Sequence, residues 1–192
     1  MKMKVLHLDD VNYPKEILKK LQEDFIVKTN SELKINNKDE LKNHLSDNFY
    51  DIIFVKLGYY FGKDLLQNQK KLKYIVSPTT GHNHLDIEFL NERGILIVSL
   101  KGEFSFLKNI QSTSEHVWSL ILYLAKKLEY NINKTRSFRW DRHEKSIELN
   151  NKNIGIIGYG RLGRLIHKYA NAFNMNILIN DLNLGSSNIP LK

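Results

Sequence analysis

The chain has 192 residues, of which 42% are hydrophobic and 26% charged; this is enough apolar material for one full domain or two small ones and excludes disorder throughout. It contains no cysteine, so disulfide frameworks, thiolate catalysis and thiolate metal sites are excluded. The net charge is +8, with a balance of +1 in the first hundred residues and +7 in the rest. Such an excess is typical of a solvated face; a small anionic ligand bound by the second half and a nucleic acid are the alternatives.

The apolar runs of this sequence are short. The longest, at 117–125, is about half of the ~20 residues that cross a bilayer, and the apolar stretch at 5–8 is too short for a secretory signal. We therefore expect a cytoplasmic protein that binds no membrane.

Short apolar runs alternate with amphipathic segments through the first hundred residues. Pro14 suits the first turn of a helix, Asn37 with Glu40 resembles a capping box, and Asp86 can cap a helix that ends at Gly94. Strands are predicted between these helices, at 5–8, 25–27, 52–57, 74–77 and 95–99. This alternation predicts a parallel sheet covered on both faces.

The pattern changes after residue 100. A loop is predicted at 101–111, a long helix at 112–128, and a polar, irregular segment at 130–152. Phe138 and Trp140 are the large apolar side chains of that last segment. They could contact another protein or tuck against the helix, and the sequence leaves both open.

The strongest chemical signal is a G-x-G-x-x-G motif formed by Gly158, Gly160 and Gly163, with a predicted strand before it and a predicted helix after it. The first glycine permits a tight turn, the second lets the backbone approach a pyrophosphate, and the third lets helix and strand pack closely. Asp181 follows a second strand at 176–180 and lies 23 residues after Gly158, near the ~20 expected for the carboxylate that binds the adenosine ribose. That carboxylate favours NAD over NADP. A glycine-rich turn in an ordinary α/β sheet is the alternative.

From about residue 74 to 181 the chain resembles the D-isomer-specific 2-hydroxyacid dehydrogenases, especially members similar to D-3-phosphoglycerate dehydrogenase. The matching segments are TGHNHLD at 80–86, NERGI at 91–95, SLKGE at 99–103, STSEH at 112–116, WDR at 140–142 and ELNNKNIGIIGYGRLG at 148–163. Residues 1–73 match only in the order of strands and helices.

The resemblance implies an α/β fold in two parts. Residues 1–100 are expected to form a flavodoxin-like substrate domain with a parallel sheet, and 101–192 to begin a Rossmann NAD-binding domain that is incomplete. The chain is then expected to be an N-terminal portion, from a truncated form, an interrupted gene or a split enzyme. The activity implied is NAD-dependent hydride transfer to or from the CH–OH carbon of a D-2-hydroxyacid.

The resemblance also implies site residues. The backbone N–H groups of Thr80 and Gly81 match those that hold the substrate carboxylate, and the amides of Arg161 and Leu162 match those that meet the pyrophosphate. Thr113 matches a position beside the nicotinamide and cofactor phosphates, although a hydroxyl near a helix start could equally be a cap. No metal site is expected.

Three residues depart from the family pattern: Asn83 stands where aspartate is usual, Ser114 where alanine is usual, and Phe138 where glycine is common. The histidine, glutamate and arginine that the family uses for catalysis come after the second cofactor strand. No catalytic residue is therefore expected within this chain, His82 and His84 included, and no turnover is expected from it alone.

The resemblance implies a small 2-hydroxy or 2-oxo acid as substrate and a homodimer formed through about 104–142. Which acid is bound stays open, because the selecting side chains lie partly outside these residues. The same fold also serves non-catalytic proteins, so an NAD-binding regulatory or interaction protein is the alternative function. A nucleic-acid module would instead show steeply salt-dependent DNA binding and is not expected.

Overall fold

The computed structural model of the chain describes residues 2–140 and 145–182. The chain divides into two compact units, Met1–Phe104 and Ser105–Lys192. Each unit has its own sheet and its own buried core. Asp141 and Arg142, two residues of the WDR motif and of the expected dimer segment, lie outside the described residues.

Among its described residues, which begin at Lys2, the first unit has a parallel sheet of five strands. Their order is β2-β1-β3-β4-β5. The strands are β1 Lys4–His7, β2 Ile26–Thr29, β3 Ile52–Phe54, β4 Tyr74–Ser77 and β5 Leu96–Ser99. The helices of this unit are α1 Lys15–Asp24, α2 Asn30–Leu33, α3 Lys38–Asp47, α4 Lys63–Leu66 and α5 Ile87–Glu92, and a 3-10 turn spans Asp10–Asn12. The prediction of a flavodoxin-like parallel sheet is confirmed, because this strand order is that of the flavodoxin type.

The capping residues predicted from the sequence lie at the helix ends. Oδ1 of Asn37 accepts a hydrogen bond from the backbone N–H of Glu40 at the start of α3. Oδ1 of Asp86 accepts one from the N–H of Phe89 at the start of α5, and Gly94, just after that helix, has φ +65°. Pro14 precedes α1 by one residue. These caps supply hydrogen-bond partners that the helix ends otherwise lack.

The core of the first unit lies between the sheet and its helices. Leu6, Ile53 and Ile75, from three neighbouring strands, are completely buried. Leu41 and Leu45 of α3 pack in the same cluster. Burial of these side chains stabilises the sheet that carries the loop at residues 78–86.

The second unit contains helices and a parallel pair of strands. Its elements are α6 Phe104–Leu107, which begins at the last residue of the first unit, α7 Ser112–Ala125, α8 Leu128–Arg136, β6 Asn153–Ile157, α9 Arg161–Ala172 and β7 Asn176–Asn180. β6 pairs with β7 in parallel from Asn153↔Asn176 to Ile157↔Asn180. Trp118 of α7 stacks on Phe173 with ring centroids 4.8 Å apart, which packs this helix against the end of α9.

Three predictions for this part of the chain are wrong. The segment predicted as a loop at 101–111 contains the helix α6. The long helix ends at Ala125 rather than at 128, because Lys127 adopts a left-handed conformation with φ +50°. The first residues of the segment predicted as irregular, 130–136, belong to α8. This helix contains neither glycine nor proline. Ammonium–ring contact between Lys134 and Tyr130, four residues apart, supports this helix.

Phe138 and Trp140 are 89% and 87% exposed. The alternative that they tuck against the helix is therefore wrong, and contact with another protein stays a prediction. Among residues 2–140 and 145–182, the structure holds no helix with both the length and the apolar character needed to cross a membrane.

Candidate functional site

The glycine motif forms the turn between β6 and α9. Gly158 has φ +92°, a conformation that side chains disfavour. A Cβ atom on Gly163 would lie 2.2 Å from the carbonyl oxygen of Gly158, so only glycine fits at that position. The turn thus brings the start of α9 directly against the end of β6.

Backbone amides at the start of α9 form the next part of the candidate site. Those of Arg161, Leu162 and Gly163 have no acceptor among the described residues, because a helix leaves its first N–H groups without intrahelical partners. Gly160 precedes them, and a Cβ atom there would meet nothing within 4 Å. Open space therefore lies beside donors that carry the positive end of the helix dipole.

Asp181 lies directly after β7, beside this turn. Its Oδ2 accepts a hydrogen bond from the backbone N–H of Tyr159 at 2.5 Å. The Tyr159 side chain turns onto α9, where its hydroxyl lies 2.9 Å from Nδ1 of His167 and its ring packs under the guanidinium of Arg164. The carboxylate and the glycine turn thus form one polar surface.

The side chain of Arg161 has a role that the sequence did not indicate. Its Nη1 donates to the carbonyl oxygens of Ile110 at 2.9 Å and Leu107 at 3.4 Å. Tyr169, two turns further along α9, donates its hydroxyl to the side chain of Gln111. These bonds hold the segment before α7 next to the glycine turn.

Thr113 is an exposed residue in the first turn of α7. The N-cap of α7 is Gln111, and no side chain caps it. The alternative that the Thr113 hydroxyl is a helix cap is therefore wrong. Its hydroxyl makes no hydrogen bond among the described residues and is available to a ligand.

The loop after β4 in the first unit is held by a relay of hydroxyl groups. Oγ1 of Thr79 donates to the carbonyl oxygen of Gly81 at 2.8 Å, and Oγ of Ser77 lies 2.8 Å from Oγ1 of Thr79. Nε2 of His84 lies 2.9 Å from Oγ of Ser77. Because the Thr79 proton points to a carbonyl, Ser77 donates to Thr79, and His84 donates to Ser77.

Thr80 and Gly81 themselves are exposed. A Cβ atom on Gly81 would lie 3.8 Å from Oδ1 of Asn83, an ordinary contact, and φ of Gly81 is not positive. Neither packing nor backbone conformation therefore requires glycine at this position. Its small size leaves room above the loop.

The histidines near this loop are held neutral. Burial lowers the pKa of His84, and the neighbouring His82 lowers it further. Burial and then Lys101 lower the pKa of His82, whose Nε2 lies 2.8 Å from Oγ of Ser99. Over residues 2–140 and 145–182, no histidine pairs with a carboxylate within 4.0 Å, and no group of three metal-ligating side chains occurs.

The residues of the second unit fit a dinucleotide. A pyrophosphate needs N–H donors and close backbone approach, which the open surface at Gly160 and the unpaired amides of α9 provide. A ribose needs an acceptor for the hydrogen bonds of its hydroxyl groups, and the Asp181 carboxylate provides one beside the turn. This arrangement can bind and orient a dinucleotide.

Family models match most of the chain. Residues 5–119 match the catalytic domain of the D-isomer specific 2-hydroxyacid dehydrogenases. Residues 118–188 match the NAD binding domain of the same family. The expected cofactor, NAD, and the expected family are thereby confirmed.

Individual relatives agree with these matches. The chain is 32% identical over 142 residues to D-3-phosphoglycerate dehydrogenase of Methanocaldococcus jannaschii, covering 73% of this chain and 26% of that protein. It is 27% identical over 173 residues to glyoxylate reductase of Pyrococcus furiosus, covering 86% of this chain and 49% of that protein. The chain thus spans between about a quarter and a half of the curated relatives it matches.

A solved structure also resembles the chain. D-lactate dehydrogenase of Aquifex aeolicus, complexed with NAD and lactic acid, superposes with a TM-score of 0.75 at 25% identity, covering 95% of this chain and 52% of that one. The strand order, the glycine turn and the two family models point to one assignment. This chain belongs to the family of D-isomer specific 2-hydroxyacid dehydrogenases.

Proposed function

We propose that this chain contributes to an NAD-dependent oxidoreductase that acts on the CH–OH group of a D-2-hydroxyacid, similar to phosphoglycerate dehydrogenase. Residues 1–100 form its substrate domain, and 101–192 begin its NAD-binding domain. NAD, when bound, accepts or returns the hydride. One observation carries the proposal: the amides that open α9, which have no acceptor within 2–140 and 145–182, lie beside the Asp181 carboxylate.

The chain's own groups bind and orient the cofactor. The amides of Arg161 and Leu162, with Gly163, donate to the pyrophosphate, and Gly158 and Gly160 let it approach the backbone. The Asp181 carboxylate accepts from the ribose hydroxyls and repels a 2′-phosphate, which favours NAD. Thr113 lies beside the nicotinamide and the cofactor phosphates. The bond from Arg161 to Ile110, three residues before Thr113, supports that role.

The loop at Thr80 and Gly81 binds the carboxylate of the 2-hydroxy or 2-oxo acid. Two backbone N–H groups aimed at an anion orient it without a charged side chain. The relay from His84 through Ser77 and Thr79 supports this role, because it holds the Gly81 carbonyl.

The segment at about 104–142 forms a homodimer. Exposed apolar side chains support this proposal, with Leu124 of α7 72% exposed and Phe138 and Trp140 almost fully exposed. We expect size-exclusion chromatography with light scattering to give twice the mass of one chain. Leu124→Lys should shift the measured mass toward that of one chain. A single-chain mass for the unchanged protein would contradict the dimer.

Binding of NAD tests the nucleotide site directly. We expect saturable NADH binding in a fluorescence titration, weakened about tenfold or more by Gly160→Ala, because the added methyl group occupies the space that a pyrophosphate needs. Gly155→Ala is the matched control, since its Cβ also meets nothing within 4 Å but lies in β6. Equal losses in both variants, or no binding by the unchanged chain, would contradict the site.

A non-catalytic, NAD-binding regulatory or interaction protein is the second candidate, because the same fold also serves proteins without catalysis. We expect the chain alone to bind NADH without oxidising it when hydroxypyruvate is added. The absorbance of NADH at the nicotinamide band measures this oxidation. Repeating the measurement on the protein purified by affinity tag from its own cells decides between the two candidates. Oxidation there supports the dehydrogenase, and binding without oxidation supports the regulatory protein.

A further inference from the structure

A cavity of about 550 Å³ opens in the first unit, at the edge where the strands begin. Lys4 and Ile26, the first residues of β1 and β2, line it together with Asp51, which directly precedes β3. Thr80 and Gly81 instead follow the carboxyl end of β4, so the cavity lies at the opposite edge of the same sheet. Its volume is within the range of small-molecule sites.

The cavity exists because one face of the edge strand is incompletely covered. Ile26 and Lys28 point to the same face of β2, since side chains alternate along a strand. The nearest helix along the chain, α2, is a single turn of four residues. Leu33 at its end lines the cavity, but Ile26 stays 45% exposed. An apolar wall is thereby left open to a ligand.

The inner wall is neutral. Tyr50 is only 4% exposed, and its hydroxyl lies 2.7 Å from Nε2 of His44. Burial raises the pKa of Tyr50 to about 12, and burial lowers the pKa of His44, an effect that Asp47 partly opposes. Both groups are therefore uncharged at neutral pH. Phe49, partly exposed, adds a second aromatic surface.

The rim carries positive charge. Among the described lining residues, five are lysines and two are aspartates; the lysines are Lys2, Lys4, Lys28, Lys71 and Lys73. The ammonium group of Lys2 donates to a backbone carbonyl, and that of Lys73 lies 3.8 Å from Asp51. The ammonium groups of Lys4, Lys28 and Lys71 have no acceptor among the described residues.

We propose that this cavity binds a small amphipathic anion, a carboxylate or phosphate ester with an aromatic or aliphatic body. The body packs against Ile26 and Phe49, and the anionic group meets the ammonium groups of Lys4, Lys28 and Lys71. An inorganic anion would leave the apolar wall uncovered, and a cation would be repelled by the rim. The site is separate from the candidate nucleotide and substrate sites, because none of their residues lines it.

Phenyl phosphate is a suitable probe, because it combines both chemical features. In an NMR titration of the ¹⁵N-labelled chain, we expect saturable shifts of amide signals at 26–28, 49–51 and 71–73. The double variant Lys28→Glu, Lys71→Glu should bind about tenfold more weakly or worse, because two charge-assisted contacts become repulsive. The control is Lys19→Glu, Lys20→Glu on α1, which changes the net charge equally outside the cavity and should bind as the unchanged chain does.

Inorganic phosphate and phenol, the two halves of the probe, should each bind more weakly than phenyl phosphate. Phosphate binding as tightly as the whole probe would overturn the amphipathic assignment. Unchanged affinity in the cavity variant, or shifts confined to 158–163, would overturn the site. The amide shifts are assigned residue by residue. A loss of NAD binding at the glycine turn is therefore distinguished from a loss of phenyl phosphate binding in this cavity.

Discussion

Nη1 of Arg161 lies 2.9 Å from the backbone carbonyl oxygen of Ile110 and donates a hydrogen bond to it. The two residues are 51 positions apart. This bond ties the segment before α7 to the first residue of α9, where the amides of the candidate pyrophosphate site lie. Arg161 thus places its amide at the candidate pyrophosphate site, while its guanidinium bonds the segment before α7.

Arg161→Ala removes both bonds to backbone carbonyls. We expect the free energy of unfolding of the second unit to fall by about 1.5–3 kcal/mol, the range for a hydrogen bond that involves a charged group. Urea unfolding followed by tryptophan fluorescence measures it, because both tryptophans lie in this unit. Arg164→Ala is the control; among the described residues its guanidinium packs on the Tyr159 ring and makes no hydrogen bond or ion pair, which predicts a loss of about 0.5–1 kcal/mol. Equal losses of unfolding free energy in the two variants would show that the two carbonyl hydrogen bonds add no more stability than a ring contact does.

Asp181→Asn tests cofactor preference. Asparagine keeps an oxygen that can accept from the Tyr159 N–H but loses the negative charge. We expect NADH to bind more weakly and NADPH more tightly, so that their affinity ratio changes about tenfold or more. Parallel fluorescence titrations with the two reduced cofactors measure the ratio. An unchanged ratio would mean that this carboxylate does not face the ribose.

Thr79→Val interrupts the relay that ends at the Gly81 carbonyl while keeping the shape of the side chain. We expect a loss of about 1–2 kcal/mol in the free energy of unfolding of the first unit, from two hydrogen bonds. Glyoxylate binding, followed by NMR, should weaken as well. Thr80→Val is the stability control, because the Thr80 hydroxyl makes no hydrogen bond among the described residues. Hydrogen exchange of amides in the first unit provides the measurement.

His7 predicts acid sensitivity of the first unit. Burial lowers its pKa from the usual 6.5, and the charges of Asp10 and Asp9 oppose only part of that effect. Because the folded pKa is below the unfolded one, the unfolded chain takes up the proton first. The stability that neutral His7 contributes is therefore complete above about pH 6.5 and is lost as pH falls toward the folded pKa.

His7→Asn should reduce this loss between about pH 7 and 5, because an amide oxygen can replace Nδ1 as acceptor for the Asp9 N–H without titrating. Hydrogen exchange of first-unit amides at both pH values measures the change. His116→Asn, at an exposed position of α7, should leave the pH dependence as it is. If the stability of His7→Asn fell more steeply with acid than that of the unchanged chain, the acid sensitivity would not come from His7.

Phe138→Gly should stabilise the second unit. Phe138 has φ +54° and is 89% exposed, so it holds a left-handed conformation with little burial in return. Glycine adopts that conformation without the Cβ clash, which predicts a gain of about 1 kcal/mol. Thermal unfolding followed by tryptophan fluorescence measures it, with Arg139→Gly, where φ is not positive, as the control that should show no gain. A lower melting temperature for Phe138→Gly would contradict this.

Much of the fold follows from local signals in the chain. Asn37 and Asp86 cap their helices as predicted, because each contact joins residues within a few positions. α8 was missed because its sequence is polar, and the contact between Tyr130 and Lys134 becomes visible only once the helix exists.

The sequence by itself indicated a parallel α/β sheet, the glycine turn and the place of Asp181 after the second strand of that turn's unit, because periodicity and glycine spacing depend on neighbours along the chain. Only the tertiary structure decided that the Arg161 guanidinium reaches Ile110, that His84 supports the Gly81 loop through two hydroxyls, and that lysines from separate strands surround one cavity. Those relationships join residues that are distant in sequence or depend on side-chain direction. Packing of helices on a sheet sets such distances, and no local pattern encodes them.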